Sequence, residues 1–373
     1  MSDDIPEPDR IEGAPHPRHT PHLFGQPHVE ALFLKAFNTA RLHHGWLITG
    51  PRGVGKATLA WKIARFLLAT PEDEGMFAPP PPETLDVPDG PVPRRLAALS
   101  EPRLFLLRRP YDEKGGRLKQ DITVDEVRKM KNFFALSAAD GGRRVAIVDS
   151  VDEMNSSAAN ALLKLLEEPP PKVTLLLISH QPARLLPTIR SRCRDLRLGP
   201  LSPADLSDAL TQAGGAVEPE QRAALAELAG GSVGEAFRMT NTEGLALYAR
   251  VVELFATLPR MDRPRALALA EAGAARGAEA TFELIVTLID LFLARLARAG
   301  TLGQTPPEAA PGEAALIARL SPDPWAARHW ADLAQTLGLR ARRGKAVNLD
   351  PAALLMDMVL RLDETAKALS APA

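Results

Sequence analysis

Gly50-Pro51-Arg52-Gly53-Val54-Gly55-Lys56-Ala57-Thr58 lies between two segments of different character. Before it, Trp46-Leu47-Ile48-Thr49 is an apolar run that reads as a buried strand. After it, Leu59 to Leu68 carries apolar residues at the spacing of an amphipathic helix. A glycine-rich turn from strand to helix is the setting of a phosphate-binding loop. Its glycines let backbone N–H groups turn inward around an anion, the helix N-terminus adds partial positive charge, and Lys56 brings a point charge for the outer phosphates of a nucleotide such as ATP. The full pattern places Ser or Thr directly after the lysine, where the hydroxyl holds Mg²⁺. Ala57 stands there instead. Thr58 comes one residue later, which turns its hydroxyl about 100° around the helix from the required direction. The expectation is a site that cradles phosphate but handles the metal poorly. The bland alternative is a glycine-rich turn that binds nothing.

A chain of 373 residues is too long for one ordinary core, so two or three domains are expected. Hydrophobic content of 45% and charged content of 24% fit a soluble globular protein. A formal net charge of −1 argues against coating nucleic acid through the overall field, so any DNA contact must be local or shared with partners. The single cysteine, Cys193, excludes a disulfide framework and a Cys-rich zinc site and fits a reducing cytoplasm. Residues 1–20 are polar and rich in proline and histidine, without an apolar h-region. They read as a loose tail, neither signal peptide nor anchor. Phe282 to Leu296, the most apolar long stretch, carries Glu283, Asp290 and Arg295 and does not suit a membrane span. Six histidines fall early (His16, His19, His22, His28, His43, His44), but no carboxylate or Cys shares a ligand-like spacing with them, so solvated loop histidines and no metal are expected.

Strand and helix patterns alternate from Gly45 to Leu198, which predicts a parallel sheet flanked by helices over residues 21–199. Residues 69–102 interrupt it with Pro79-Pro80-Pro81-Pro82, Pro88, Pro91 and Pro93, and read as an inserted mobile loop. Leu104-Phe105-Leu106-Leu107 is a short strand, and Val124, Val127, Met130 and Phe134 mark a helix face. Arg144-Val145-Ala146-Ile147-Val148-Asp149 is a core strand ending in a carboxylate where such sheets bind ligands. Asn155 or Ser156 caps the next helix, and Val173 to Ile178 is a third core strand. Beyond Leu201 the pattern is helical: a small helical domain over 200–242 and a helical domain over 243–373. The fold class is thus α/β plus all-α.

In a P-loop ATPase the second core strand ends in an Asp for the Mg²⁺ shell, followed by a Glu that polarises the attacking water. Here Asp149 is followed by Ser150, and a missing base costs roughly 10² to 10⁴ in rate. Asp152 and Glu153, further on, read as loop residues facing elsewhere. The run from Asp149 through Glu153-Met154-Asn155 to Glu167-Glu168-Pro169-Pro170, with Ile189-Arg190-Ser191-Arg192-Cys193 after the third strand, resembles the clamp-loader branch of the AAA+ ATPases. Leu23-Phe24-Gly25-Gln26 and Asn348-Leu349-Asp350-Pro351 extend the resemblance over most of the chain, and Ser-Arg-Cys is its most selective piece.

The resemblance implies that Arg192 is an arginine finger reaching the nucleotide of a neighbouring subunit. Its planar, permanent charge suits a γ-phosphate in the transition state. Read without the family, Arg192 is equally a solvated member of the basic set Arg184, Arg190, Arg194 and Arg197. Active relatives carry Gly-Ser-x-Arg in the small helical domain, whereas Gly231-Ser232-Val233-Gly234 ends here in glycine. Relatives often hold a four-cysteine zinc module in the region of residues 69–102, which here has no cysteine, so no zinc is expected. The resemblance thus implies a subunit that hydrolyses ATP poorly or not at all and joins ATPase motor subunits and a further non-motor subunit through its C-terminal helices. That assembly, part of a DNA polymerase holoenzyme, would place a sliding clamp on primed DNA. Two other readings stay open. One is a catalytically active ATPase of the same assembly. The other is a nucleic-acid-binding adaptor outside replication, resting on Arg340-Ala341-Arg342-Arg343-Gly344-Lys345 as a basic loop between helices.

Overall fold

The computed structural model describes residues 7–11, 13–71, 80–135, 142–215 and 217–370. The chain forms two compact units, one holding residues up to 216 together with 231–235, the other residues 217–230 and 236–373. Residues 200–242 are divided between them.

The first unit contains α1 (Pro27–Asn38), β1 (Gly45–Thr49), α2 (Lys56–Ala69), α3 (Pro91–Ala97), β2 (Leu104–Arg108), the ribbon β3 (Tyr111–Asp112) and β4 (Arg117–Leu118), α4 (Val124–Ala135), β5 (Arg144–Asp149), α5 (Ser156–Glu167), β6 (Val173–Ile178), α6 (Pro187–Arg190), β7 (Arg194–Arg197) and α7 (Pro203–Gln212). Five strands pair in parallel in the order β2-β5-β6-β1-β7. Alternate residues of each strand point to opposite faces. Trp46, Ile48, Val145, Ile147, Leu176 and Ile178 therefore pack with Leu59, Trp61 and Ile63 of α2 on one side. Leu47, Ala146, Val148, Leu175 and Leu177 pack with Val127 and Met130 of α4 and Leu162 and Leu165 of α5 on the other. Both faces are covered, which is why these strands read as continuous apolar runs. Asn155 caps α5 by accepting from the Ala158 N–H, and Ser202 caps α7 by accepting from the Asp205 N–H.

Two expectations fail here for one reason: proline-rich composition hides packing residues. Residues 7–11 and 13–20 do not form a loose tail. His16 is buried with its ring edge-on to Trp61 at 5.8 Å, and the Asp9 side chain is 1% exposed. The insert also packs. Residues 72–79 lie outside the described residues, but beyond them Leu85 and Leu96 enter the core on the α2 face, each a burial of about 1.5–3 kcal/mol. Lys62 on α2 reaches Asp86 at 2.9 Å and Glu30 at 2.8 Å, and buried Glu101 accepts from Arg95 and Arg103, each at 2.8 Å.

The second unit is helical: α8 (Pro219–Ala229), most of α9 (Val233–Asn241), α10 (Gly244–Phe255), α11 (Arg263–Ala274), α12 (Glu279–Leu302), α13 (Glu313–Leu320), α14 (Pro324–Ala346) and α15 (Pro351–Ser370). Tyr248, Phe255, Phe282, Phe292 and Trp330 are fully buried. The basic cluster 340–345 is not a loop. It forms the last turns of α14, where Arg340 pairs with Asp357 at 2.9 Å, Arg342 with Asp290 at 3.0 Å, and Lys345 lies 4.5 Å from the Phe282 ring centroid. Much of its charge is thus spent within the unit. Among the described residues no helix is long and apolar enough to cross a membrane.

Candidate functional site

The P-loop runs from the end of β1 into α2, as its glycines require. Gly53 has φ +73°, and a Cβ there would lie 2.3 Å from Ser232 Oγ and 2.7 Å from the Gly234 nitrogen. Gly55 caps α2 in the left-handed region at φ +98°. Lys56 opens the helix with 3% exposure. Its Nζ donates to the Gly50 carbonyl at 2.8 Å and to the Pro51 carbonyl. The lysine is therefore folded onto the loop that it would share with a phosphate. Burial lowers its pKa to about 8, against the opposing charges of Asp149 and Asp152. Ala57, in the Mg²⁺ position, packs against the core, and Thr58 is half-buried. Pro51 and Arg52 are exposed at the tip of the loop, and Val54 is buried beneath it.

Asp149 ends β5, separated from the P-loop strand by β6. Burial raises its pKa to about 7, helped by Asp9 and Glu153 and opposed by Lys56 and Arg108. Ser150, where a water-polarising carboxylate would stand, is buried. Asp152 does not face away from the site as its distance along the chain suggests. Its carboxylate accepts from Ser179 Oγ at 2.7 Å, Ser150 Oγ at 3.3 Å, the Gln181 N–H at 3.2 Å and the His180 N–H. These four donors fix the carboxylate in place. Glu153 is held by Arg109 at 2.8 Å.

His180, at the end of β6, belongs to this cluster and has no signal in the sequence. Burial, with the charges of Lys56 and Arg52, lowers its pKa to about 4, so its ring is neutral near pH 7. Its Nδ1 is buried and has no hydrogen-bond partner among the described residues. Gly234 sits directly on the P-loop: the Gly53 carbonyl accepts from the Val233 N–H at 2.9 Å and from the Gly234 N–H at 3.4 Å. A side chain at 234 would stand beside the phosphate cradle, and glycine offers none.

Asp149 gives this site a pH signature. Its ordinary pKa is 3.8 and its folded value about 7, so between those values the folded state keeps a proton that the unfolded chain has lost. Its contribution makes stability fall as pH rises from about 4 to about 7, then level off. Asp149→Asn removes that slope. In thermal melts of both proteins across this range, the variant gains on wild type with rising pH; a constant gap between them contradicts the buried, proton-holding carboxyl.

Arg192 is elsewhere. β7 runs parallel to β1 with Arg194 opposite Trp46 and Arg197 opposite Thr49, so Arg192 precedes the amino edge of the sheet while the P-loop leaves its carboxyl edge. At about 3.3 Å per residue the two are roughly 20 Å apart along the strand direction. Ile189 and Cys193 anchor the segment inward, and burial pushes the Cys193 thiol up to about 12. Arg192 itself is 36% exposed. It donates to Glu167 Oε1 at 2.9 Å and to the Thr188 carbonyl at 3.0 Å. Among the described residues no group of three or more His, Cys, Asp or Glu side chains is arranged to hold a metal ion.

A family model described as DNA polymerase III, delta subunit, matches residues 25–202. The chain is 40% identical over 169 residues to the DNA polymerase III subunit delta' of Pseudomonas aeruginosa, covering 45% of this chain and 46% of that one. It is 30% identical over 234 residues to the delta' subunit of Bacillus subtilis, covering 62% and 65%. The DNA polymerase III subunit tau of Escherichia coli is 30% identical over 285 residues, covering 73% of this chain and 40% of that one. The chain thus spans about half to two thirds of the delta' relatives' length. The region matched by the family model holds the whole parallel sheet, the P-loop and the Ser191-Arg192-Cys193 segment, and the chain is similar to delta-prime subunits of DNA polymerase III.

Proposed function

We propose that this chain is a stator of a clamp loader, offering Arg192 to the nucleotide of a neighbouring ATPase subunit and hydrolysing little or no ATP itself. The observation that carries this reading is the separation of Arg192 from its own P-loop: a finger on the amino edge of the sheet serves only a nucleotide bound by another chain. Ala57, Ser150 and Gly234 support the second half. In this reading Gly50 to Thr58 and Asp149 form a weak or vestigial ATP site. Residues 200–242 act as the lid of the sheet domain, and residues 243–373 as the collar joining motor subunits and a delta-type subunit. The assembly works in the cytoplasm, opens a sliding clamp and sets it on primed DNA for the polymerase.

The test is ATP turnover by the reconstituted loader with clamp and primed DNA, comparing wild type with Lys56→Ala and Arg192→Ala of this chain. Loss with Arg192→Ala alone is the expected result. Loss with Lys56→Ala shows that the chain burns ATP itself and overturns the reading.

A further inference from the structure

Residues 7–11 and 13–23 contact the P-loop, α2 and the end of β2. Leu23 fills the space beside Gly55, its Cδ1 2.6 Å from where a Cβ would be. His16 packs edge-on to Trp61 of α2, accepts the Arg18 N–H on Nδ1 at 3.0 Å, and therefore presents a protonated Nε2 to Asp9 at 2.8 Å. Ile11 reaches the corner made by Gly53 and Gly234, its Cδ1 2.9 Å from the place of a Gly234 Cβ. Glu7 and Asp9 then bind Arg108 at 3.0 and 2.7 Å, and Glu7 also binds Arg18 at 2.6 Å. Arg108 ends β2 directly opposite Asp149 in the sheet register, so both acids are held at the edge where the nucleotide's metal shell belongs.

This arrangement opposes a triphosphate in two independent ways. Asp9 is buried and ionised: burial disfavours its charge, but the His16 hydrogen bond and the Arg108 guanidinium hold its carboxyl below the usual range. The strap also neutralises Arg108, a cation beside Asp149 that would otherwise face the anion. Ile11, 36% exposed, meanwhile lies against the corner that Gly234 leaves open, where its side chain stands in the way of a ligand beside the phosphate cradle.

We propose that the N-terminal segment around Glu7, Asp9 and Ile11 is an autoinhibitory strap, latched on Arg108, that keeps nucleoside triphosphate out of the P-loop. This rests on the reading of residues 50–58 as a nucleotide site and is independent of the role of Arg192. The strap and the nucleotide compete. If the strap is closed nine-tenths of the time, apparent affinity is reduced about ten-fold.

The full chain, without partners, is titrated with a fluorescent ATP analogue and Mg²⁺. Glu7→Gln/Asp9→Asn unlatches the strap and tightens binding about ten-fold, and adding Lys56→Ala abolishes the gain. Because removing both acids leaves Arg108 unpaired, Ile11→Ala serves as a second variant that keeps the latch charges, and it tightens binding by a smaller factor. Hydrogen exchange on wild type reads the same event from the other side, with amides of residues 13–23 losing protection when the analogue binds. Unchanged or weaker binding in both variants overturns the strap, since the segment would then be a wall of the site or a bystander. Absence of binding in every protein also overturns it and removes the nucleotide site with it, while leaving the Arg192 experiment unaffected.

Discussion

In the proposed stator role, Arg192→Ala in this chain lowers turnover at the neighbouring ATPase site by roughly 10³-fold or more, the scale on which arginine fingers act. The effect is on chemistry and not on folding. The Arg192 side chain is 36% exposed, and its ion pair with Glu167 is a half-exposed contact worth at most about 1 kcal/mol. The variant therefore melts within a few degrees of wild type. Arg192→Lys separates charge from shape. Lysine keeps the positive charge but not the planar fork that meets two phosphate oxygens at once, so it restores only a small part of the rate. Glu167→Ala frees Arg192 from its partner within the chain and leaves turnover at wild-type level or above. Single-turnover hydrolysis in the assembled loader is the measurement, because steady-state rates average over sites that Arg192 does not reach.

The parallel sheet was legible because its strands are buried on both faces and its P-loop carries the glycines and lysine that an anion cradle needs. Ala57 and Ser150 were legible for the same reason, as departures from a pattern with fixed spacing. The role proposed for Arg192 rests on the Ser-Arg-Cys resemblance; in composition alone it is one arginine in a basic run. What stayed hidden depends on contacts between residues distant in the chain. Asp152 looks like a loop residue until β6 brings Ser179, His180 and Gln181 to it. Residues 7–20 and 80–102 look unstructured because proline and polar residues dominate them, yet Asp9 is held by Arg108, and Leu96 packs among the α2 side chains. The 340–345 cluster misled in the opposite direction. Its charges suggested a surface for nucleic acid, and α14 turns two of them, Arg340 and Arg342, toward Asp357, Glu283 and Asp290.

Glu313→Ala costs the helical unit about 3–5 kcal/mol, the penalty for leaving a buried charge without its partner. Glu313 has a fully buried side chain at the first position of α13, and its two oxygens are fully engaged. Arg295 on α12 donates from Nε at 2.7 Å to one and from a terminal nitrogen at 3.2 Å to the other. The Tyr248 hydroxyl on α10 donates at 2.5 Å and the Ala309 N–H at 2.7 Å. Burial, then the charge of Glu313, pushes the Tyr248 hydroxyl pKa up, so it remains a donor throughout the working pH range. One carboxylate thus ties α10, α12, α13 and the segment before α13 together. Alanine removes it and leaves the Arg295 guanidinium with the Pro307 carbonyl and a longer 3.5 Å contact to Glu227. Glu313→Gln keeps an acceptor for Tyr248 but loses the charge, and falls between wild type and alanine. Replacing both ions with apolar side chains of similar volume, Arg295→Met with Glu313→Leu, recovers most of the loss, because the cost lies in the orphaned charge and not in the missing bridge. Hydrogen exchange at the amides of α12 and α13 reads this unit directly. An alanine variant that exchanges as slowly as wild type there means that Arg295 finds another partner and that the network is not what holds these helices.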